Sequence, residues 1–312
     1  MRPITVVLAA DDNFAMPLSV AALSVAVTLP KSEHLDVWIL DMGIRPQNRQ
    51  LVERTLALPN AAVHWVDSLW ERVAELPNTW PNITRAGYGR LLIPEMLPQT
   101  VERVLYLDCD VMARRSVQEL FAIDMGGNAS MGVPDVQTPF VSSPGGSPWW
   151  FRRGRSVDEP NFNSGVLLMD LEIWRAERIG LEALRYLTDG RHEFGQDQEA
   201  INAVAGQRIG MLDPRWNVQH EITDPSYCSS LPYTDEQLAG LHDDAWIVHF
   251  SNAKKPWHHG YDNPWAHEWY ALAAKTPFGN WKPSLRRDVT RRARRVPKWA
   301  LGKVRAKFAD AA

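Results

Sequence analysis

Asp108 and Asp110 close the apolar run Val104-Leu-Tyr-Leu107 with one residue between them. In an extended strand, residues two apart point to the same face, so both carboxylates leave the strand end together. Paired oxygen ligands suit Mg²⁺ or Mn²⁺, which keeps other positions for water and substrate phosphate. A cation held there offsets the charge on a departing diphosphate. His249 ends a second apolar run, Trp246-Ile-Val-His249. A neutral imidazole can complete such a site, and Mn²⁺ accepts nitrogen more readily than Mg²⁺ does. Lys255, in Lys255-Pro-Trp-His258, brings a cation suited to phosphate. The bland alternatives are two solvated acids and a structural histidine, because short motifs recur by chance.

Three further constellations carry hydrogen-bonding chemistry. Ala9-Ala10-Asp11-Asp12-Asn13 ends the first apolar run, where a nucleotide base lies in a doubly wound sheet. Asp11 can accept from a uracil N–H and Asn13 can donate and accept beside it; helix capping by Asp12 or Asn13 is the competing role. The segment lacks both the Gly-x-Gly-x-x-Gly run and the Walker A loop, so phosphate must be neutralised by metal and side chains. Asn161-Phe-Asn163-Ser-Gly165 offers two amides for sugar hydroxyls and a glycine for close backbone approach, or simply a turn. Gln196-Asp197-Gln198-Glu199 opens a helix, where its acids could do no more than serve the helix dipole.

The elements that must position these residues follow from periodicity. Strands are expected at Ile4–Ala9, Val37–Asp41, Ala62–Val66, Val104–Leu107, near Ser130–Val133 and at Gly165–Met169. Helices are expected at Pro17–Leu29, Gln47–Leu58, Tyr88–Met96, Leu171–Leu187 and Gln196–Val204. Such alternation predicts an α/β domain with a mostly parallel central sheet and helices on both faces. Gln137–Pro160 is crowded with Pro, Gly, Ser and Arg and holds Trp149-Trp150-Phe151. It is expected to be a long loop, its aromatics forming either a sugar-contacting surface or a plug over the core.

The composition, 45% hydrophobic and 23% charged over 312 residues, is that of an ordinary globular protein. Only Cys109 and Cys228 are present, which argues against a disulfide scaffold and fits a reducing compartment. The short apolar start does not read as a signal peptide, and no stretch of about 20 apolar residues suggests a membrane span. A cytoplasmic location is expected. The net charge of −3 conceals ten Lys or Arg against one Asp between residues 286 and 307. Leu285, Val289 and Val296, then Leu301, Val304 and Phe308, follow helical spacing in this region. Residues 281–312 thus form a basic, weakly amphipathic tail after a body at 1–280. It suits anionic membrane at the inner face of the cytoplasmic membrane, or else remains a solvated tail. No stacking or groove-reading motif accompanies the charge, so nucleic acid is not an expected partner.

Together and in this order, these segments resemble family 8 glycosyltransferases, a retaining group with the GT-A (Rossmann-like) nucleotide-diphospho-sugar transferase fold. The resemblance rests on Ala9–Asn13, Tyr88-Gly-Arg90-Leu, Val104–Asp110, Phe162-Asn-Ser-Gly-Val-Leu-Leu168, Gln196-Asp-Gln198, His249 and Lys255–His258. It spans about residues 4–260 and is strongest toward the bacterial lipooligosaccharide galactosyltransferase branch, which also ends in a basic membrane-binding tail. It implies transfer of galactose or glucose from a UDP-sugar to a carbohydrate or glycolipid acceptor in cell-surface glycan synthesis, with Mn²⁺, or Mg²⁺, on Asp108, Asp110 and His249. It places Ala10, Asp11, Asn13, Arg90, Asp108, Cys109 and Lys255 at the nucleotide. Arg90, Asp135, Asn163, Asp197 and Gln198 fall around the donor sugar, with Gln198, Asp197 and Lys255 closest to the chemistry. Asn252 stands where the family often carries glycine. A sugar-nucleotide pyrophosphorylase and a non-catalytic sugar-binding protein are the alternatives. The first is weakened by Ala-Asp-Asp-Asn where a glycine-rich phosphate loop would stand.

Overall fold

The computed structural model describes residues 3–285 except 68–69, 77–84, 147–149, 191, 193–195, 224–230 and 280–281. The tail from 286 onward, with its expected helices, lies outside the described residues, as does Trp149. The chain begins with β1 (Ile4–Ala10), α1 (Ala15–Thr28), β2 (Leu35–Asp41), α2 (Pro46–Thr55) and β3 (Ala61–Val66). It continues through β4 (Arg103–Leu107), β5 (Val111–Ala113), β6 (Ser130–Gly132), β7 (Val166–Asp170), β8 (Ile209–Met211), β9 (Val218–Gln219) and β10 (Ile247–His249). Seven strands form the main sheet in the order β3-β2-β1-β4-β7-β6-β8, and β5-β10-β9 form a second. In the main sheet β7 runs antiparallel to both neighbours and the other pairings are parallel.

Two layers of side chains follow from the strand period of two. Val6, Leu8, Leu105, Leu107, Val166 and Leu168 pack toward α1 and α2. Val7, Ala9, Val104, Tyr106, Leu167 and Met169 pack on the opposite face, against Trp174, Tyr186 and Ile201. A continuous apolar run in β1 is therefore buried on both sides. α1 is buried almost all round, and its Ser24 reaches the second sheet, where Oγ accepts from the backbone N–H of Ala113 (2.9 Å).

Two helical expectations change. Arg85–Leu92 is 3₁₀ and only Ile93–Met96 is α-helical. Pro94 has no N–H to offer the Arg90 carbonyl, and Gly87 and Gly89 disfavour an α-helical run. The helix expected over 171–187 divides into Leu171–Ala176 and Ile179–Thr188, with Arg178 left-handed at φ 55°. The break turns the second helix so that Gly180 closes on the Leu91 carbonyl, where no Cβ would fit. The long loop is pinned by Arg155, which is buried and bonds Glu159 and the Asn202 carbonyl. Phe151 is 58% exposed, so it does not act as a plug. Among the described residues no helix is long and apolar enough to cross a membrane.

Candidate active site

β1 and β4 are parallel neighbours, so their C-terminal ends bring Ala10–Asn13 and Asp108–Asp110 to one edge of the sheet. The Asp108 N–H donates to the Gly165 carbonyl (2.8 Å). Its Oδ1 accepts from the Tyr106 hydroxyl and from Arg90 Nη2, each at 2.8 Å. Asp110 leads directly into β5, and the antiparallel pairing of β5 with β10 sets His249 opposite Val111. His249 Nε2 thereby comes to 3.3 Å from Asp110 Oδ1. One ligand atom from each of Asp108, Asp110 and His249 lies within 4.8 Å of the others.

The donor set of two carboxylates and one imidazole fits Mn²⁺, and Mg²⁺ less well. The surroundings also fit. A Cβ at Gly165 would overlap His249 Cε1 and lie 2.8 Å from Asp108 Oδ2, so only glycine leaves the ligands their positions.

The electrostatics divide the two acids. Burial raises the pKa of Asp108, with Arg90 opposing and Asp110 adding to the rise. Burial also opposes ionisation of Asp110, but Lys255 and His249 outweigh it and hold this carboxyl far below the ordinary range. Lys255 Nζ sits 2.6 Å from Asp110 Oδ2 and also donates to the Phe250 (2.7 Å) and Ser251 (3.1 Å) carbonyls. For His249, burial disfavours the charged ring, yet Asp110 and then Asp108 prevail, so its pKa is raised.

Beside this triad is a connected set of polar groups. Arg90 is buried, with its guanidinium over the Tyr106 ring. It pairs with Asp197 through Nε (2.6 Å) and donates from Nη1 to the Ser164 carbonyl (2.5 Å) and hydroxyl (2.8 Å). Gln198 accepts from the Ser164 N–H (3.1 Å) and donates to Asp135 Oδ2 (3.0 Å). Asn163 donates to the same Asp135 oxygen (3.0 Å). The other Asp135 oxygen accepts from the N–H groups of Gln137 and Thr138, both at 3.0 Å. Arg90, Asp135, Asn163, Asp197 and Gln198 are thus brought together, and Arg90 joins them to Asp108.

The first strand end is a separate corner. Asp11, half-buried, accepts from the Asn13 N–H (2.9 Å) and caps a single 3₁₀ turn. Burial raises its pKa despite those bonds. Asp12 is instead tied to Arg45 and to Asn48 Nδ2 (2.7 Å), so capping falls to Asp11 rather than to Asp12 or Asn13. Ala10 is buried. The Cys109 thiol is buried, donates to the Ala9 carbonyl (3.3 Å) and is pushed up in pKa by burial, so it stays protonated.

Four residues at the site are given no role by the sequence reading: Tyr106 and Ser164, which lie within its motifs, and Asn217 and Gln219, which lie outside them. Tyr106 had a signal, since it lies two residues before Asp108 on the same strand face. Asn217, whose side chain contacts His249, had none.

A model of the family "Glycosyl transferase family 8" matches residues 5–260. General stress protein A of Bacillus subtilis is 25% identical over 88% of this chain and 94% of its own. The lipopolysaccharide 1,3-galactosyltransferase of Salmonella typhimurium is 26% identical over 80% of this chain and 71% of its own. Among solved structures, the galactosyltransferase LgtC in complex with donor and acceptor sugar analogues superposes with a TM-score of 0.70 at 27% identity, covering 88% of this chain and 96% of LgtC. A central mostly parallel sheet shared with LgtC, and a family match over most of the length, make this chain a member of glycosyltransferase family 8.

Proposed function

We propose that the protein transfers galactose or glucose from a UDP-sugar to a carbohydrate or glycolipid acceptor, with retention of anomeric configuration. The observation that carries this is the Asp108–Asp110–His249 triad beside Lys255 at the C-terminal ends of the sheet strands. The similarity to the lipopolysaccharide galactosyltransferase and to LgtC supports the donor and acceptor classes. Family membership favours transfer over the pyrophosphorylase and binding-only alternatives.

Asp108, Asp110 and His249 would hold Mn²⁺, or Mg²⁺. When bound, the cation supplies positive charge against the diphosphate of the leaving nucleotide. Lys255 keeps Asp110 ionised and adds a second positive charge where the phosphates would lie. Asp11 and Asn13 would meet the base, with the backbone of Ala10 and Cys109 shaping that corner. Arg90 holds Asp108 and Asp197 in fixed positions, and Asp135, Asn163 and Gln198 present polar atoms to the donor sugar.

The site speaks to the route. Asp108 is bound to Arg90, Asp110 to Lys255, Asp197 to Arg90, and Asp135 to amide and backbone donors. No carboxylate of this set is left as a free nucleophile. Gln198 offers only an amide oxygen, already bonded by the Ser164 N–H. Same-face attack through an oxocarbenium-like state fits best, with a UDP phosphate oxygen taking the acceptor's proton. Isolation of a covalent glycosyl adduct on Gln198 would overturn this route.

Residues 1–280 would form the catalytic body, and 281–312 a basic tail that seats it on anionic membrane at the inner face of the cytoplasmic membrane. UDP release measured over a panel of UDP-sugars, with Mn²⁺ and with chelator, tests the activity. Release from UDP-galactose or UDP-glucose that requires the metal supports it. Failure with every UDP-sugar, while pyrophosphate yields UTP, would reverse the assignment.

A further inference from the structure

Hydrogen-bond polarity can be traced from fixed backbone donors to the His249 ring. The Gly165 N–H donates to Asn163 Oδ1 (3.0 Å), and a backbone N–H is only a donor. Asn163 Nδ2 therefore faces the Asp135 carboxylate, an acceptor, at 3.0 Å. The second neighbour of Asn163 Oδ1 is the Asn217 amide, which must present its Nδ2 (3.0 Å). Asn217 Oδ1 is then left facing His249 Nδ1 (3.0 Å), and an acceptor there requires the ring to carry its proton on Nδ1. Nε2 is thereby left as the ring atom toward Asp110, at 3.3 Å, the one whose proton a cation would replace. The orientation of Asn163 is set by a backbone N–H, and that of Asn217 follows from it.

We propose that Asn217 is a positioning residue with two roles: it fixes the His249 tautomer that can ligate a cation, and it joins that ligand to the Asn163–Asp135–Gln198 side of the site. The inference rests on the metal-dependent transfer proposed above and adds a residue that the recognised motifs do not include. The connections form a chain that a cation on His249 and Asp108 would close into a ring. From His249 it passes through Asn217, Asn163, Asp135, Gln198, Ser164 and Arg90 to Asp108, which is the neighbouring ligand. Displacement of one ligand is thus felt by the groups that would face the sugar.

β9 is suited to this task. It is only two residues long and is paired through β10 to His249, with Gln219 opposite His249 in register. Asn217 and Gln219 are 1% and 2% exposed, so neither amide is there for solvent. Gln219 uses both ends of its amide on the backbone flanking Asp135, donating to the Pro134 carbonyl (2.9 Å) and accepting from the Val136 N–H (3.0 Å). Residues 217–219 therefore grip the cation side and the Asp135 turn together.

The test compares Asn217→Ala and Asn217→Asp in the full chain. Mn²⁺ affinity is read by electron paramagnetic resonance, UDP-galactose affinity by calorimetry with Mn²⁺ present, and thermal stability without metal. Asn217→Ala removes both bonds and should weaken Mn²⁺ binding about 10- to 100-fold, the usual loss on removing a hydrogen-bond partner of a ligating histidine. Asn217→Asp can still accept from His249 Nδ1–H but cannot donate to Asn163. It should therefore keep Mn²⁺ affinity within about threefold while weakening the sugar nucleotide, a split that a merely structural asparagine would not produce. Nitrogen NMR of His249 adds a direct signature, a proton on Nδ1 in the parent chain and in Asn217→Asp. Unchanged Mn²⁺ affinity in a folded Asn217→Ala protein would overturn the inference while leaving the proposed activity standing. Absence of Mn²⁺ binding by the parent chain would overturn both.

Discussion

Replacing Gly165 by alanine adds a single methyl group at the point where β7 begins, between two of the three proposed cation ligands. The backbone accepts it, because Gly165 is not among the glycines with positive φ. The side chains do not. The new Cβ would overlap His249 Cε1 and stand 2.8 Å from Asp108 Oδ2 and 3.0 Å from His249 Nδ1. Ordinary contacts of this kind begin near 3.5 Å, so Asp108 must retreat by roughly 0.7 Å and His249 by roughly 1 Å, or the strand must shift. Overpacking on this scale costs about 1–3 kcal/mol. If all of it appears as lost cation affinity, that is about 5- to 150-fold; any remainder appears as a lower melting temperature. Turnover should fall further, since a misplacement of about 1 Å near reacting groups can cost about a hundredfold. Mn²⁺ titration by electron paramagnetic resonance, run beside thermal denaturation of the metal-free protein, separates the two shares. An alanine variant matching the parent in Mn²⁺ affinity and melting temperature would refute the packing described here, and with it the reason for glycine at this position.

Other perturbations probe different parts of the site. Arg90→Met leaves Asp108 and Asp197 without their shared cation, and breaking a buried pair in this way should destabilise the protein by about 3–5 kcal/mol, read by urea denaturation; a loss below about 1 kcal/mol would show that the two acids find other partners. Raised pKa values at His249 and Asp108 keep protons in the metal-free site to higher pH than in free side chains, and those protons must leave before a cation enters. Mn²⁺ affinity should therefore tighten as pH rises from about 6 to 8, by up to about tenfold per unit while His249 is still protonated. Affinity that is flat across this range would contradict the electrostatics. Removal of residues 286–312 should abolish sedimentation with anionic liposomes while transfer to a soluble acceptor persists, given that each basic residue near such a surface contributes about 1 kcal/mol. Equal liposome binding by both forms would eliminate the tail as an anchor.

Much of this architecture is written in local pattern. The run through β1 is buried on both faces, and Val104–Leu107 delivers Asp108 to a strand end, so both could be placed from periodicity alone. His249 likewise ends an apolar run. What periodicity could not supply is the device that carries His249 to Asp110. β5 has three residues and β9 two, too few to display an alternation, and their sheet exists only through long-range pairing. The left-handed Arg178 breaks a stretch of good helix formers because Gly180 must meet the Leu91 carbonyl, a tertiary demand that overrides propensity. Asn217 lies in Pro214-Arg-Trp-Asn217, with no spacing to mark it. Its importance appears only once His249 and Asn163 are seen on either side.

The central claim is that Asp108, Asp110 and His249 together bind one divalent cation against the diphosphate of a sugar nucleotide. Anomalous diffraction at the manganese edge from crystals soaked with Mn²⁺ and UDP tests it most directly. The account predicts a single strong peak bounded by those three side chains and a UDP phosphate oxygen, with the Lys255 ammonium nearby. A peak elsewhere, or UDP seated with these side chains still bonded only to Arg90, Lys255 and one another, would contradict it.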